Sequence, residues 1–398
     1  MIDFKEYFTP LEDDLYQKSS NWQSTQLGSL ITSHNLKLFP EYKFCEIAIF
    51  NVNEYEGTDN LVAKNNCKIR KELYDLHFDN PPRICDLGYL SLAENRKDSF
   101  STLELVSKHL IENGIFPIII GGGHDLTYAV YKAYSSLDKS ITLTTVDSKF
   151  DLGLKDEKIS NISFFSKILE AKPNNLFHYS NIGYQTFFVS PLAVEMLSNL
   201  GFDSIRLGEV KSNIKNLEPV LRNTDFLSFD ISSVSNAYSN ANKYSSANGF
   251  NGEEACQIFR YAGLSDKLSS LIICEYNQLL DKSGLTSQLI SQMIWYFIDG
   301  YNSRKNELNP NIKNCVKYNV TFEDGKNEIV FYKSNLSSRW WMGVPFKKAE
   351  NSSLDCYYVA CSYEDYEEAN RGEIPSRWIK TYNTVSYTHL TLPTILLV

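Results

Sequence analysis

The chain has 398 residues, of which 43% are hydrophobic, 13% aromatic and 22% charged, a mixture that can bury a large core and excludes a fibrous or low-complexity protein. Against 48 Asp and Glu stand 39 Lys and Arg, and the net charge of −9 leaves no basic surplus to displace counterions, so nucleic acid is not an expected partner. The eight cysteines are scattered without a C-x-x-C pair, the N-terminus is acidic, and no apolar stretch is long enough for a membrane span; together these point to reduced thiols in the cytoplasm and no membrane partner.

Short apolar, β-branched runs at 45–52, 83–90, 116–122, 141–147, 177–184, 203–210, 225–232 and 268–277 read as strands. Helical patterns lie between or after them, at 101–114, 125–136, 191–201, 252–263 and 287–301. This alternation predicts a three-layer α/β/α sandwich around a mostly parallel sheet of roughly eight strands, several of them apolar throughout because both faces are covered. Residues 1–302, with an N-terminal segment 1–42, form the expected main domain. The rhythm stops after Tyr301, and 303–384 read as a C-terminal elaboration: two strands, EIVFYKS and RWWMGVPF, an acidic helical piece, and Trp340 and Trp341 as anchors on the main sheet. The last stretch, 385–398, changes character abruptly and reads as a tail foreign to the fold.

Ligands of open parallel sheets sit beyond the carboxyl ends of the strands, so the residues that follow each apolar run are the ones to weigh. Three glycines followed by His124 and Asp125 end one run; Asp147 ends the next, with Asp151 four residues on; Asp230 ends a later one. A single such Asp is usually a cap or a turn former. Three carboxylates and a histidine at the mouths of separate strands form a candidate cluster. The glycine turn lacks both G-x-G-x-x-G and the P-loop pattern, and an acidic residue at the following helix start would repel phosphate, so a nucleotide site is disfavoured.

The ordered segments GGGHDLTYA, VDSKFD, SFDISSV, NGFNGEEA and CEYNQLLD, preceded by IRKELYDL and CDLG, resemble the ureohydrolase family of arginase, agmatinase and formimidoylglutamase over about residues 45–302. Length and the C-terminal extension resemble a divergent formimidoylglutamase-like branch. The resemblance implies hydrolysis of C–N bonds in linear amidines or guanidines, a small cationic substrate, a homo-oligomer, and two divalent metals, usually manganese, bridged by hydroxide. It assigns His124, Asp147, Asp151 and Asp230 to the first metal. Lys149 and Ser232 stand where the pattern has a histidine and an aspartate of the second, and neither is a comparable donor. One manganese ion is therefore the expected complement. Three carboxylates, one divalent ion and one ammonium also sum to neutrality, which predicts that the Lys149 ammonium fills the second cation's space and bonds Asp147 and Asp230.

The same resemblance gives Asp147 and Glu275 catalytic roles and makes Glu275 and Asn277 substrate contacts, with Glu275 ranked above Asp281 and Asp125. The segment 158–169 contains no histidine for proton shuttling. Weak one-metal turnover is the expected activity. An inert member that keeps the fold for binding or assembly is the alternative.

Overall fold

A computed structural model describes residues 3–12, 15, 22–58, 68–153, 157–322, 327–347 and 354–388. The part of the expected foreign tail from 389 onward lies outside them.

Two short strands, β1 (Phe8–Thr9) and β2 (Thr32–Ser33), precede β3 (Ile47–Asn51), β4 (Ile84–Leu90), β5 (Phe116–Ile120), β6 (Ile141–Val146) and β7 (Leu176–Tyr184). β8 (Asp203–Arg206), β9 (Phe226–Asp230) and β10 (Ser270–Cys274) complete a ten-stranded sheet in the order β1-β4-β3-β5-β10-β9-β6-β7-β8, with β2 on β4. Every pair is parallel except β1 with β4. The eight longer strands answer the eight apolar runs.

Period-two alternation divides each buried strand between two cores. Ile47, Ile49, Ile118, Ile120, Leu271 and Ile273 face one side, where helices Gly252–Leu264 and Leu285–Asn302 cover them. Ala48, Phe50, Ile119, Ile272 and Cys274 face the other, under helices Arg96–Glu112, Leu126–Ser135 and Phe164–Glu170. This is the α/β/α sandwich expected from the sequence. The run at 203–210 departs from expectation: after Arg206 the chain turns into a helix, Leu207–Ser212, because Leu207 and Val210 are its buried pair and their spacing of three suits a helical face.

The C-terminal region forms a separate antiparallel sheet of four strands, β11 (Cys315–Phe322), β12 (Asn327–Ser334), β13 (Trp340–Lys347) and β14 (Leu354–Cys361), rather than the two expected. Helices Tyr363–Asn370 and Ser376–Thr388 follow. The two tryptophans serve different cores. Trp340 stacks with Tyr318 and Tyr366 inside the small sheet's own cluster. Trp341 is buried under Arg222, whose guanidinium lies 4.7 Å from its ring centroid.

Arg222 is the main joint. It donates to the Trp340 carbonyl at 2.9 Å and the Cys361 carbonyl at 3.0 Å and pairs with Glu218 at 3.1 Å. Asn223 exchanges hydrogen bonds with Ala360, Arg339 pairs with Asp266 at 3.2 Å, and Lys380 pairs with Asp203. Residues 222, 223, 266 and 203 precede or begin β9, β10 and β8, so the small sheet docks on the amino ends of the strands. It leaves the carboxyl ends uncovered.

Removing a buried, hydrogen-bonded cation strands its partners, so Arg222→Ala should lower unfolding stability by about 2–4 kcal/mol in urea titrations. A loss below about 1 kcal/mol would show that Arg222 does not hold the two sheets together.

Candidate metal centre

β5, β10, β9 and β6 lie side by side, and the candidate residues follow their carboxyl ends. After β5 the chain turns on Gly121 and Gly122, both with left-handed φ; a Cβ on Gly122 would stand 2.0 Å from Leu126 Cδ1 and 3.0 Å from the Glu54 carbonyl, so only glycine fits. That turn places His124 over the sheet. Glu275, just past β10, locks it: the Glu275 N–H donates to the Gly122 carbonyl at 2.9 Å, and the His124 N–H donates to Glu275 Oε1 at 2.8 Å. Thr58 also donates to Glu275 Oε2 at 3.4 Å. Both Asp151 and Glu275 hold positive φ, 50° and 66°, conformations that a non-glycine residue keeps only when its surroundings impose them.

The His124 ring is buried and has two distinct sides. Nε2 lies 3.0 Å from Ser228 Oγ, which in turn lies 2.6 Å from Thr127 Oγ1. Nδ1 makes no hydrogen bond of acceptable angle, yet faces Asp151 Oδ2 at 2.9 Å, Asp147 Oδ2 at 3.6 Å and Asp230 Oδ2 at 3.7 Å. Phe164 packs on the ring with centroids 4.6 Å apart. With the Nε2 proton given to Ser228, the Nδ1 lone pair points into the carboxylates, as a metal-ligating histidine requires.

His124, Asp147 and Asp151 each offer a donor atom within 4.8 Å of one another. Asp230 stands outside that mutual triad. Its Oδ1 accepts the Ser232 N–H at 2.7 Å as the cap of a short turn, which draws the carboxylate aside. All three aspartates are buried, and burial first, then mutual repulsion, raises their pKa values: Asp147 well above the usual range, with Asp151 the repelling neighbour, and Asp230 likewise, beside Asp147. Burial also takes Asp151 up to about 7, against the opposing pull of its contact with Asp147. A cation among these oxygens is the physical relief for such a cluster. Carboxylates with one imidazole form a hard donor set, so the residues present fit a manganese-like ion.

Of the two departures from the family pattern, Lys149 is placed differently from the expectation. Ser232 contributes its backbone N–H to Asp230. Lys149 donates its backbone N–H to Asp147 Oδ1 at 3.2 Å, but its ammonium lies over the rings of Phe188 and Tyr244, 5.8 and 5.3 Å from the centroids. Among the described residues no carboxylate oxygen lies within 4.0 Å of it, so the expected bonds to Asp147 and Asp230 are not made. The π faces offer the ammonium an alternative to ion pairing.

Burial also raises the Glu275 carboxyl, with Asp230 adding repulsion. Asn277 accepts the Leu279 N–H at 3.0 Å. Asp281 accepts from Tyr276 Oη and the Ser287 N–H at the start of helix Leu285–Asn302, a capping role. Asp125 is bound by Arg96, which also donates to the Ile159 carbonyl at 2.6 Å and lies 3.6 Å from Glu54, tying together the chain after β3, β5 and β6. Sequence reasoning singled out neither Arg96 nor Ser228. Ser228 had a signal, since it sits two residues before Asp230 in one strand and so shares its face.

This doubly covered parallel sheet with a histidine–carboxylate cluster over its central strands has the architecture of the arginase type. A sequence profile of the arginase family matches residues 59–299, and the chain belongs to that family. The formimidoylglutamase of Staphylococcus carnosus is 27% identical over 206 residues, which cover 49% of this chain and 65% of that relative. The crystal structure of Trypanosoma cruzi formiminoglutamase with Mn2+ superposes with a TM-score of 0.63 at 21% identity, covering 70% of this chain and 99% of that one. The Bacillus subtilis formimidoylglutamase structure gives 0.61 at 15% identity, over 70% of this chain and 93% of that one. Among the described residues no helix is long and apolar enough to cross a membrane.

Because the folded pKa of Asp151 lies above its unfolded value, the chelated native state binds protons that the unfolded chain does not, between the ordinary carboxylate range and about 7. Stability of chelator-treated protein should therefore fall as pH rises through that window, and added manganese should abolish the fall. Denaturation midpoints at about pH 5 and about pH 7.5 check this; a midpoint that stays flat or rises in the chelated protein contradicts it.

Proposed function

We propose that the protein is a formimidoylglutamase-like amidinohydrolase that works with one divalent cation, manganese by the chemistry of its donors, and turns over slowly. The observation that carries this reading is the His124 imidazole, tied at Nε2 to Ser228 and open at Nδ1 toward three buried carboxylates. His124, Asp147 and Asp151, with Asp230 beside them, would hold the ion. When bound, such an ion supplies charge that acidifies water and polarises a C–N carbon.

The chain's own residues would do the rest. Asp147, a buried carboxylate beside His124 and Asp151, would take a proton during hydrolysis. Glu275 would receive the amidinium: each carboxylate oxygen has two lone-pair sites, so accepting the His124 N–H does not exhaust Oε1. Asn277, two residues on, would add a side-chain contact to the substrate. Slow turnover follows from Lys149 and Ser232, which supply no second set of ligands, and from the absence of histidine in 158–169.

Release of formamide, urea or ammonia from formimidoylglutamate, agmatine and arginine, with added manganese, tests the reading. Slow, manganese-dependent release is expected, and His124→Ala should reduce it by at least about 100-fold. The paired substitution Lys149→His with Ser232→Asp should raise it by about tenfold or more by completing the second set of donors. Manganese binding with no turnover of any substrate would instead support an inert member that retains the ion for binding, a reading favoured by the Lys149 ammonium lying over two rings.

A further inference from the structure

The small C-terminal sheet has two edges, and among the described residues only one of them is closed. At the β14 edge the Asn223 side chain stands in for a neighbouring strand: its amide donates to the Ala360 carbonyl at 3.2 Å and accepts the Ala360 N–H at 3.0 Å. The β11 edge lies three strands away, about 14 Å from that joint. Its eight residues, Cys315–Phe322, pair with β12 without a bulge. Hydrogen bonds at the end of the ladder fix which backbone groups are spent. The Asn335 N–H donates to the Asn314 carbonyl and the Ser334 N–H to the Arg339 carbonyl, so Asn335 is bonded toward β11 and Ser334 toward β13. Alternation along the antiparallel ladder then turns the backbone of Val316, Tyr318, Val320 and Phe322 toward β12, and leaves the N–H and C=O groups of Cys315, Lys317, Asn319 and Thr321 pointing out of the sheet.

We propose that β11 pairs antiparallel with β11 of a second copy of this chain, with Tyr318 on the two-fold axis, so that the two small sheets become one continuous sheet. In that register Cys315 stands opposite Thr321 of the second copy and Lys317 opposite its Asn319, and every outward group finds a partner, in about eight hydrogen bonds. The faces match as well. Val316, 41% exposed, meets Val320 of the second copy and prolongs the apolar row, Tyr318 meets Tyr318, and Lys317, Asn319 and Thr321 stay on the exposed polar face. Charge selects the same register: Glu328 Oε2 lies 3.1 Å from Asn319 Nδ2, which brings its carboxylate to the place that Lys317 of the second copy occupies. A regular edge strand without proline is open to such addition. The contact is one strand wide, so the association is weak and reversible.

Sedimentation velocity of the full chain between about 1 and 200 µM is the test. The wild type should pass from its mass at high dilution to twice that mass. Lys317→Glu should weaken the association by about tenfold by setting two carboxylates against each other, and the charge swap Lys317→Glu with Glu328→Lys should restore it. Asn319→Pro should abolish it, because the N–H removed is one that the ladder with β12 does not use. Thermal unfolding checks that each variant is folded, and the exposed Lys317→Glu decides the matter should Asn319→Pro unfold. A mass independent of concentration, association as strong in Lys317→Glu as in the wild type, or a charge swap that fails to restore it would each overturn the proposal. The measurement needs neither metal nor turnover, so the hydrolase reading stands or falls separately.

Discussion

Everything at the carboxyl end of the sheet depends on how one imidazole is held. His124 is fixed from below by Ser228, from the main-chain side by Glu275, and from one face by Phe164, which leaves Nδ1 a single direction, into Asp151, Asp147 and Asp230. Three buried carboxylates in one place repel one another and lose hydration. The fold tolerates them there because four neighbouring strand ends force the convergence and because a cation can neutralise it.

The two ends of the sheet have separate tasks. At the amino ends, Arg222, Asn223, Asp266 and Asp203 bind the C-terminal sheet and its last helix, a structural joint of buried charges and carbonyls. At the carboxyl ends lie the histidine cluster and the left-handed Asp151 and Glu275. Asp151 and Glu275 are held left-handed at the functional end by surrounding hydrogen bonds, while Asn80, Asp138, Asn306 and Ser338 hold positive φ in connecting segments elsewhere.

The main sheet was legible because its strands are apolar on both faces, so that IIIGG or LIIC reads as a buried strand whatever its partner. DSIRLGEV misled because a short apolar run fits either period, and only the burial of Leu207 and Val210 decides between them. Two strands of the small sheet escaped because CVKYNVTF at an edge and LDCYYVAC mix polar and aromatic residues, and what orders them is pairing along β12 and β13. In the site, the motif spacing pointed to His124 and the three aspartates, but not to the side-chain path of Lys149, which depends on rings at Phe188 and Tyr244 far along the chain. Arg96 left no trace either, since its partners Glu54, Asp125 and Ile159 come from three separate loops.

The central claim is that His124 and its carboxylates gather one divalent ion and no more. Electron paramagnetic resonance of the manganese-loaded protein reads this directly. The account predicts the spectrum of an isolated Mn2+ ion at one equivalent, lost in Asp151→Asn. A spin-coupled pair, or no bound manganese at all, would contradict it.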